Sequence, residues 1–267
     1  MGASRGGAEA AMIYLYDGTF DGFLTCVYEH YYSEKADGIC PPGAYQPDML
    51  AASRRVHTDE GKAGKVETAI IGKISPYAFA RIYRVYRTST DGKEMMLLNY
   101  LRFCFKRGPG AAFLHSHPLV HPVARAEQKI GNEVHRLCGL IRFSSVSAPA
   151  GEGAAQTEIL YARVSPDHEA LEFLAPHFAD RFKNEPFIIH DTKRGRAVFA
   201  WQRRWHLSDF TEQDAATLAS TAREEAYRSL WRNYFDTMAI KERTNPRCQR
   251  NLMPARYWEN LPEMQLR

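Results

Sequence analysis

The sequence predicts an α+β protein, a small and mostly antiparallel sheet packed with several α-helices. Three observations carry this reading. Short apolar runs of strand character recur near 139–144, 158–164, 187–191 and 197–201, with an earlier one near 12–16. Around them, apolar residues return every three or four positions, the helical period. And a chain of 267 residues, 45% of them hydrophobic, is long enough to bury a substantial core.

Taken in order, Met1–Ala11 is small and polar and reads as a disordered tail without the apolar stretch of a signal peptide. Met12–Tyr16 is the first strand. Asp17-Gly18-Thr19 turns it into a helix from about Asp21, with Phe23, Leu24, Val27, Tyr28 and Tyr31 on one face. Asp37–Pro47 reads as a Gly/Pro loop, Val56–Asp59 as a short strand and Glu60–Lys65 as a polar turn. A helical pattern starts at Val66. Ser75-Pro76 then supplies a cap and a first-turn proline for a helix ending near Arg87. Asp91-Gly92 opens another helix, with Met95, Leu97, Leu98, Leu101 and Phe105 as its buried side, and Gly108-Pro109-Gly110 stops it. Pro118 or Pro122 begins a helix reaching Leu137.

The stretch Glu133–Trp201 gathers four of the strands around one helix, which starts at Pro166-Asp167 and carries Leu171, Phe173, Leu174 and Phe178. A Ser/Ala/Pro/Gly loop separates its first two strands, and its last two flank the basic turn Lys193-Arg194-Gly195-Arg196. Thr211-Glu212-Gln213-Asp214 then resembles a capping box for a long helix to about Lys241, with a core stripe from Ala215 to Met238. The segment 242–267 has no clear period and mixes Arg, Asn, Tyr and Trp. The expected organisation is a tail at 1–11, a single α+β domain over 12–241, and a C-terminal Arg/aromatic strap packed on that body.

Composition excludes several classes. The five cysteines are scattered, odd in number and without a CxxC pair, which argues against a disulfide framework or zinc ribbon and fits a reducing compartment. No apolar run approaches the ~20 residues of a membrane span, so a cytoplasmic protein without membrane attachment is expected. The net charge of +4 permits an acidic partner without demanding one.

Several groups carry potential chemistry. His115, His117 and His121 could ligate a metal, but they lack a fourth ligand and sit among prolines; a Pro/His helix entry is the plainer reading, and neither metal nor cofactor is expected. His135 and Arg136, with Glu133 nearby, offer a phosphate or partner contact or, more plainly, an imidazole stabilising a helix C-terminus. His190 and Asp191 at a strand end are the candidate general acid–base pair, against the alternative that Asp191 merely shapes a hairpin. Lys193, Arg194 and Arg196, with Arg142 and with Arg163, Arg203 and Arg204 nearby, suit a phosphate backbone. In the strap, Arg243, Arg247 and Arg250 suit phosphates, Asn245 a base edge, and Tyr257 and Trp258 a stacked base. The alternative is that the two aromatics anchor the strap by burial.

The phrases Tyr16-Asp17-Gly18-Thr19-Phe20-Asp21-Gly22-Phe23-Leu24, Glu133-Val134-His135-Arg136-Leu137 with Gly139–Phe143, Ile188-Ile189-His190-Asp191 with Lys193-Arg194, and Glu242-Arg243-x-Asn245 with Met253-Pro254-x-x-Tyr257-Trp258 together resemble one family. It is an uncharacterised bacterial family assigned to DNA metabolism and DNA repair. Its members are associated with a radical-SAM protein that acts on DNA, and a related domain occurs fused to uracil-DNA glycosylase-like domains. The resemblance spans about Met12–Glu263 and implies DNA and a radical-SAM protein as partners, without supplying catalytic residues. The chain has no CxxxCxxC motif of its own, so radical chemistry would belong to the partner. Three functions follow as expectations: a DNA-binding accessory protein, a DNA- or nucleotide-processing enzyme built on His190 and Asp191, or a protein-interaction scaffold.

Overall fold

The computed structural model describes residues 11–47, 51–147, 158–220, 230–231 and 245–264. The fold is α+β, in two compact units divided between Ile130 and Gly131.

The first unit is built on a parallel three-stranded sheet. β1 (Ala11–Leu15) lies between β2 (Gly38–Cys40) and β3 (Ala51–Arg55), pairing Tyr14 with Ile39 on one side and with Arg54 on the other. Parallel strands need crossovers, and the helix α1 (Phe20–Tyr32) supplies the first. Its N-cap is Thr19, whose hydroxyl accepts the Gly22 N–H at 3.0 Å, an interaction worth about 1 kcal/mol. Gly22 is required by crowding: a Cβ there would sit 2.3 Å from Asp17 Oδ1 and 2.8 Å from Thr58 Oγ1. The helices α2 (Glu60–Lys73), α3 (Pro76–Tyr86) and α4 (Lys93–Arg107) complete the layer, with Phe23, Leu24, Ile70, Ile82, Leu97, Leu98 and Leu101 in one core. Ser75 caps α3 as its sequence predicts. Arg81 is buried in this unit, donating to Glu127, Tyr77 and the Ala112 carbonyl.

The helix α5 (His121–Leu140) contains the division between the units. The second unit holds a six-stranded sheet in the order β8-β7-β6-β5-β4-β9, from β4 (Ser144–Ser147), β5 (Glu158–Val164), β6 (Phe187–Asp191), β7 (Arg196–Trp201), β8 (Arg204–Asp209) and β9 (Ala219–Ser220). Every pairing is antiparallel except β5 with β6, which run parallel across the helix α6 (Leu171–Arg181). One face carries Phe187, Ile189, Val198 and Ala200 against α6 and Leu137, with Phe143, Phe178, Phe182 and Phe187 in edge-to-face contact. The opposite face carries Ile188, Ala197 and Phe199 under Phe210, Ala215 and Leu218, the last beyond the short helix α7 (Glu212–Ala216). A second short helix, α8 (Pro246–Leu252), leads into a 3-10 turn at Ala255–Asn260.

Several expectations shift. The strand near 12–16 belongs to a separate, parallel sheet. The run at 139–144 divides into the last turn of α5 and the start of β4, because a short apolar run has no decisive period. The strand expected at 56–59 lies at 51–55. The turn at 60–65 is the start of α2, capped by Asp59, whose carboxylate accepts the Lys62 N–H. The loop at 37–47 contains β2. The Thr211–Asp214 capping box forms, yet α7 ends at Ala216, and β9 follows. The rest of the long helix expected there lies outside the described residues apart from helical Leu230-Trp231, as do Met1–Ala10 and the loop 148–157. No helix among the described residues is long and apolar enough to cross a membrane.

Candidate functional site

Successive strand residues point to opposite faces, and this separates the candidate pair on β6. His190 is buried on the Phe210 face, its ring 5.0 Å from that of Phe210 and its Nδ1 2.8 Å from the Tyr161 hydroxyl. Burial holds the imidazole below its ordinary pKa, and pushes the Tyr161 phenol up to about 12. Asp191, one residue on and equally buried, accepts from Arg194 Nη1 at 2.9 Å and from the Lys193 N–H at 3.0 Å. Burial raises its carboxyl pKa, and the Arg194 guanidinium opposes that rise.

The basic turn is correspondingly occupied. Arg194 also donates to the carbonyls of Pro166 and Asp167, tying the turn to the chain ahead of α6. Gly195 takes the left-handed backbone (φ +61°) that closes the turn. Arg196 lies 3.6 Å from Asp209 across the hairpin. Lys193 is exposed and has no ion-pair partner among the described residues. Arg142 is bound to Glu263 at 2.9 Å, donates to the Gly139 carbonyl and lies over the Trp231 ring.

In the strap, Asn245 caps α8 by accepting the Cys248 N–H, while Arg247 and Arg250 are exposed. Tyr257 is buried, its hydroxyl donating to Glu133 Oε1 at 2.7 Å; Trp258 Nε1 donates to the Met253 carbonyl. Glu133 also accepts the N–H groups of Asp167 and His168, so this buried carboxylate fastens both the entry to α6 and the strap. These contacts use the strap aromatics as anchors. Arg243 lies outside the described residues. His117 stacks on Phe103 with ring centroids 3.9 Å apart, and His115 and His121 are exposed. Among the described residues no three His, Cys, Asp or Glu side chains gather as a metal site.

Two features escaped the sequence reading. One is a cleft of about 660 Å³ on the Tyr161 face of the sheet, lined by Ser144, Tyr161, Arg163, Thr192, Glu212 and Glu259. Arg163 bridges across it to both Glu212 oxygens, at 2.9 and 3.0 Å. The other is the β7–β8 hairpin. Its two-residue turn is Gln202-Arg203, both with positive φ (51° and 64°), a conformation that normally selects Gly or Asn. Around that tip Trp201 is 60% exposed, Trp205 is 37% exposed, and Arg203, Arg204 and His206 are exposed. Arg203 and Arg204 have no ion-pair partner among the described residues. Trp201 pairs with Arg204, and Phe199 stacks on His206 with centroids 5.4 Å apart, so these four side chains share a face. The available signal was Trp201-Gln202-Arg203-Arg204-Trp205, two tryptophans four residues apart around cations.

Residues 91–263 match the family described as a domain of unknown function, DUF4130. The chain belongs to this family. No curated protein matches the sequence. The DUF4130 match begins ahead of α4 and extends through the strap to Glu263, so it includes both the cleft and the hairpin.

Proposed function

We propose that this DUF4130 protein is a nucleic-acid-binding accessory protein of DNA metabolism or repair, which helps a radical-SAM partner engage DNA. The observation that carries the reading is the β7–β8 tip, where Arg203 and Arg204, exposed and without an ion-pair partner among the described residues, stand beside exposed Trp201. Guanidinium groups meet phosphate oxygens through paired donors, and an exposed indole offers a stacking surface for a base. Lys193, Arg247 and Arg250 add further exposed cations in the same unit. The partner enters through the sequence resemblance alone. Enzymatic use of His190 and Asp191 finds less support, because both are buried and Asp191 is committed to Arg194.

The test is fluorescence anisotropy of labelled single- and double-stranded DNA over a salt series, with wild-type protein and an Arg203→Ala/Arg204→Ala variant. Wild-type affinity should fall steeply with salt. The variant should lose about 1.4–1.8 from the slope of log K against log salt, as two phosphate contacts disappear. An absence of binding at low salt, with and without the radical-SAM protein, overturns the proposal. A stable complex with that protein and no DNA affinity would make it a scaffold instead.

A further inference from the structure

The first unit carries a second aromatic and cationic surface, on other elements. The end of α1 places Tyr28, Tyr31 and Tyr32 on one face, since residues three and four apart are helical neighbours. Tyr28 and Tyr32 stack with centroids 4.4 Å apart and planes 27° apart, and Tyr31 meets Phe105 of α4 edge-on at 6.0 Å. Tyr32 is 75% exposed and Tyr31 48%. Facing them, α2 supplies Lys65 and Lys73. Together these residues border a groove of about 570 Å³, within the roughly 300–1,000 Å³ range of small-ligand sites.

The cations decide what the groove can hold. Lys62 is bound to Glu29 at 2.8 Å and is spent within the fold. Lys65 lies 5.8 Å from the Tyr28 ring centre, and neither Lys65 nor Lys73 has a carboxylate partner among the described residues. Three tyrosines and a phenylalanine would otherwise suit a cationic ligand, but the two ammonium groups bordering the groove repel one. An apolar peptide would leave the lysines unused. A ligand with a flat aromatic face and a negative backbone uses both.

We infer that this groove binds single-stranded nucleic acid, with a base continuing the Tyr28–Tyr32 stack and the adjoining phosphates on Lys65 and Lys73. A duplex hides the faces of its bases, so the stack selects unpaired strands. The inference shares its ligand class with the proposed function but none of its residues.

The experiment uses the full-length protein and a short labelled oligothymidine, compared with an abasic strand of the same length and with polyglutamate as competitor. Tyr32→Ala, with Tyr32→Phe as its conservative partner, is made in the wild-type and in the Arg203→Ala/Arg204→Ala backgrounds. Tyr32 is largely exposed, so neither change threatens the core. The expected result is that Tyr32→Ala weakens oligothymidine binding at least about fivefold in both backgrounds, that Tyr32→Phe restores it, and that ultraviolet crosslinks map to Tyr31 or Tyr32. Lys65→Glu with Lys73→Glu should weaken the abasic strand as well. Unchanged affinity in Tyr32→Ala without crosslinks on α1 overturns the inference. So does polyglutamate competing as well as oligothymidine. If the hairpin variant alone abolishes binding, the proposed function stands and this groove is discarded; if only the groove variants do, the reverse holds.

Discussion

The two turns that bracket β7 are both basic, and the fold spends their cations differently. At the β6–β7 turn, the buried Asp191 carboxylate holds Arg194, two carbonyls ahead of α6 also accept from it, and Gly195 supplies the left-handed backbone. At the β7–β8 turn there is neither an acidic residue nor a glycine. Gln202 and Arg203 occupy the left-handed region themselves, and Arg203 and Arg204 are left to solvent. A cation in a turn is therefore available only where no buried carboxylate claims its side chain, as Asp191 claims that of Arg194 and not that of Lys193. Non-glycine residues held at φ > 0 carry local strain, and strain of this kind is concentrated at functional positions.

Three changes would sharpen or break that contrast. The largest effect is expected from Asp191→Ala, which leaves the half-buried Arg194 without its counter-charge. Urea unfolding should show a loss of about 3 kcal/mol, with DNA affinity in the folded protein unchanged. A loss of stability too small to measure would mean that the Asp191–Arg194 pair adds nothing net to the fold and that the contrast between the turns is not one of charge pairing. Next comes Gln202→Asn with Arg203→Gly, which gives the outer turn the residues its geometry prefers. Relief of strain should raise stability by about 1–2 kcal/mol. The salt slope of DNA binding should fall by about 0.7–0.9, as one cation is removed. Unaltered DNA binding would show that Arg203 is ornamental.

The smallest effect concerns pH. The folded His190 imidazole has a lowered pKa, so the unfolded chain takes up a proton near the ordinary value of 6.5 that the folded chain refuses. Its contribution is thus fully present above 6.5 and is lost as pH falls through the lower folded value. His30 shifts in the same direction, also through burial. The comparison must therefore be between wild-type and His190→Gln, whose stability should decline less over that window. Equal slopes would show that the folded and unfolded chains protonate His190 alike.

Much of the architecture was legible from local chemistry. β1, α1, α3, α4, β5, β6 and β7 fall near where periodicity, Thr19 or Ser75 caps and the Gly108–Gly110 stop place them. The misses share a cause, a local signal overruled by packing. Gly61 and Gly64 disguised α2, whose Ala63, Val66 and Ile70 are buried in the core and whose start depends on Asp59. β8 went unseen because its turn lacks Gly and Asn. The candidate site was legible as composition and illegible as pairing. That Arg194 would be consumed by Asp191, or Tyr257 by Glu133 more than a hundred positions earlier, is fixed by tertiary contacts that no local pattern reports.

β8 also ends the order of its sheet, so among the described residues its outer row of backbone amides and carbonyls has no neighbouring strand. Such an edge is a template for a second chain, and proteins guard it with charge, twist and brevity. With Arg204 at its start, β8 carries the first of these safeguards. The arginines that the proposed function assigns to phosphate are therefore also charges beside that open edge, where charge opposes the pairing of a second copy. Replacing them removes a barrier to aggregation, so any loss of binding has to be measured on protein verified to be monodisperse.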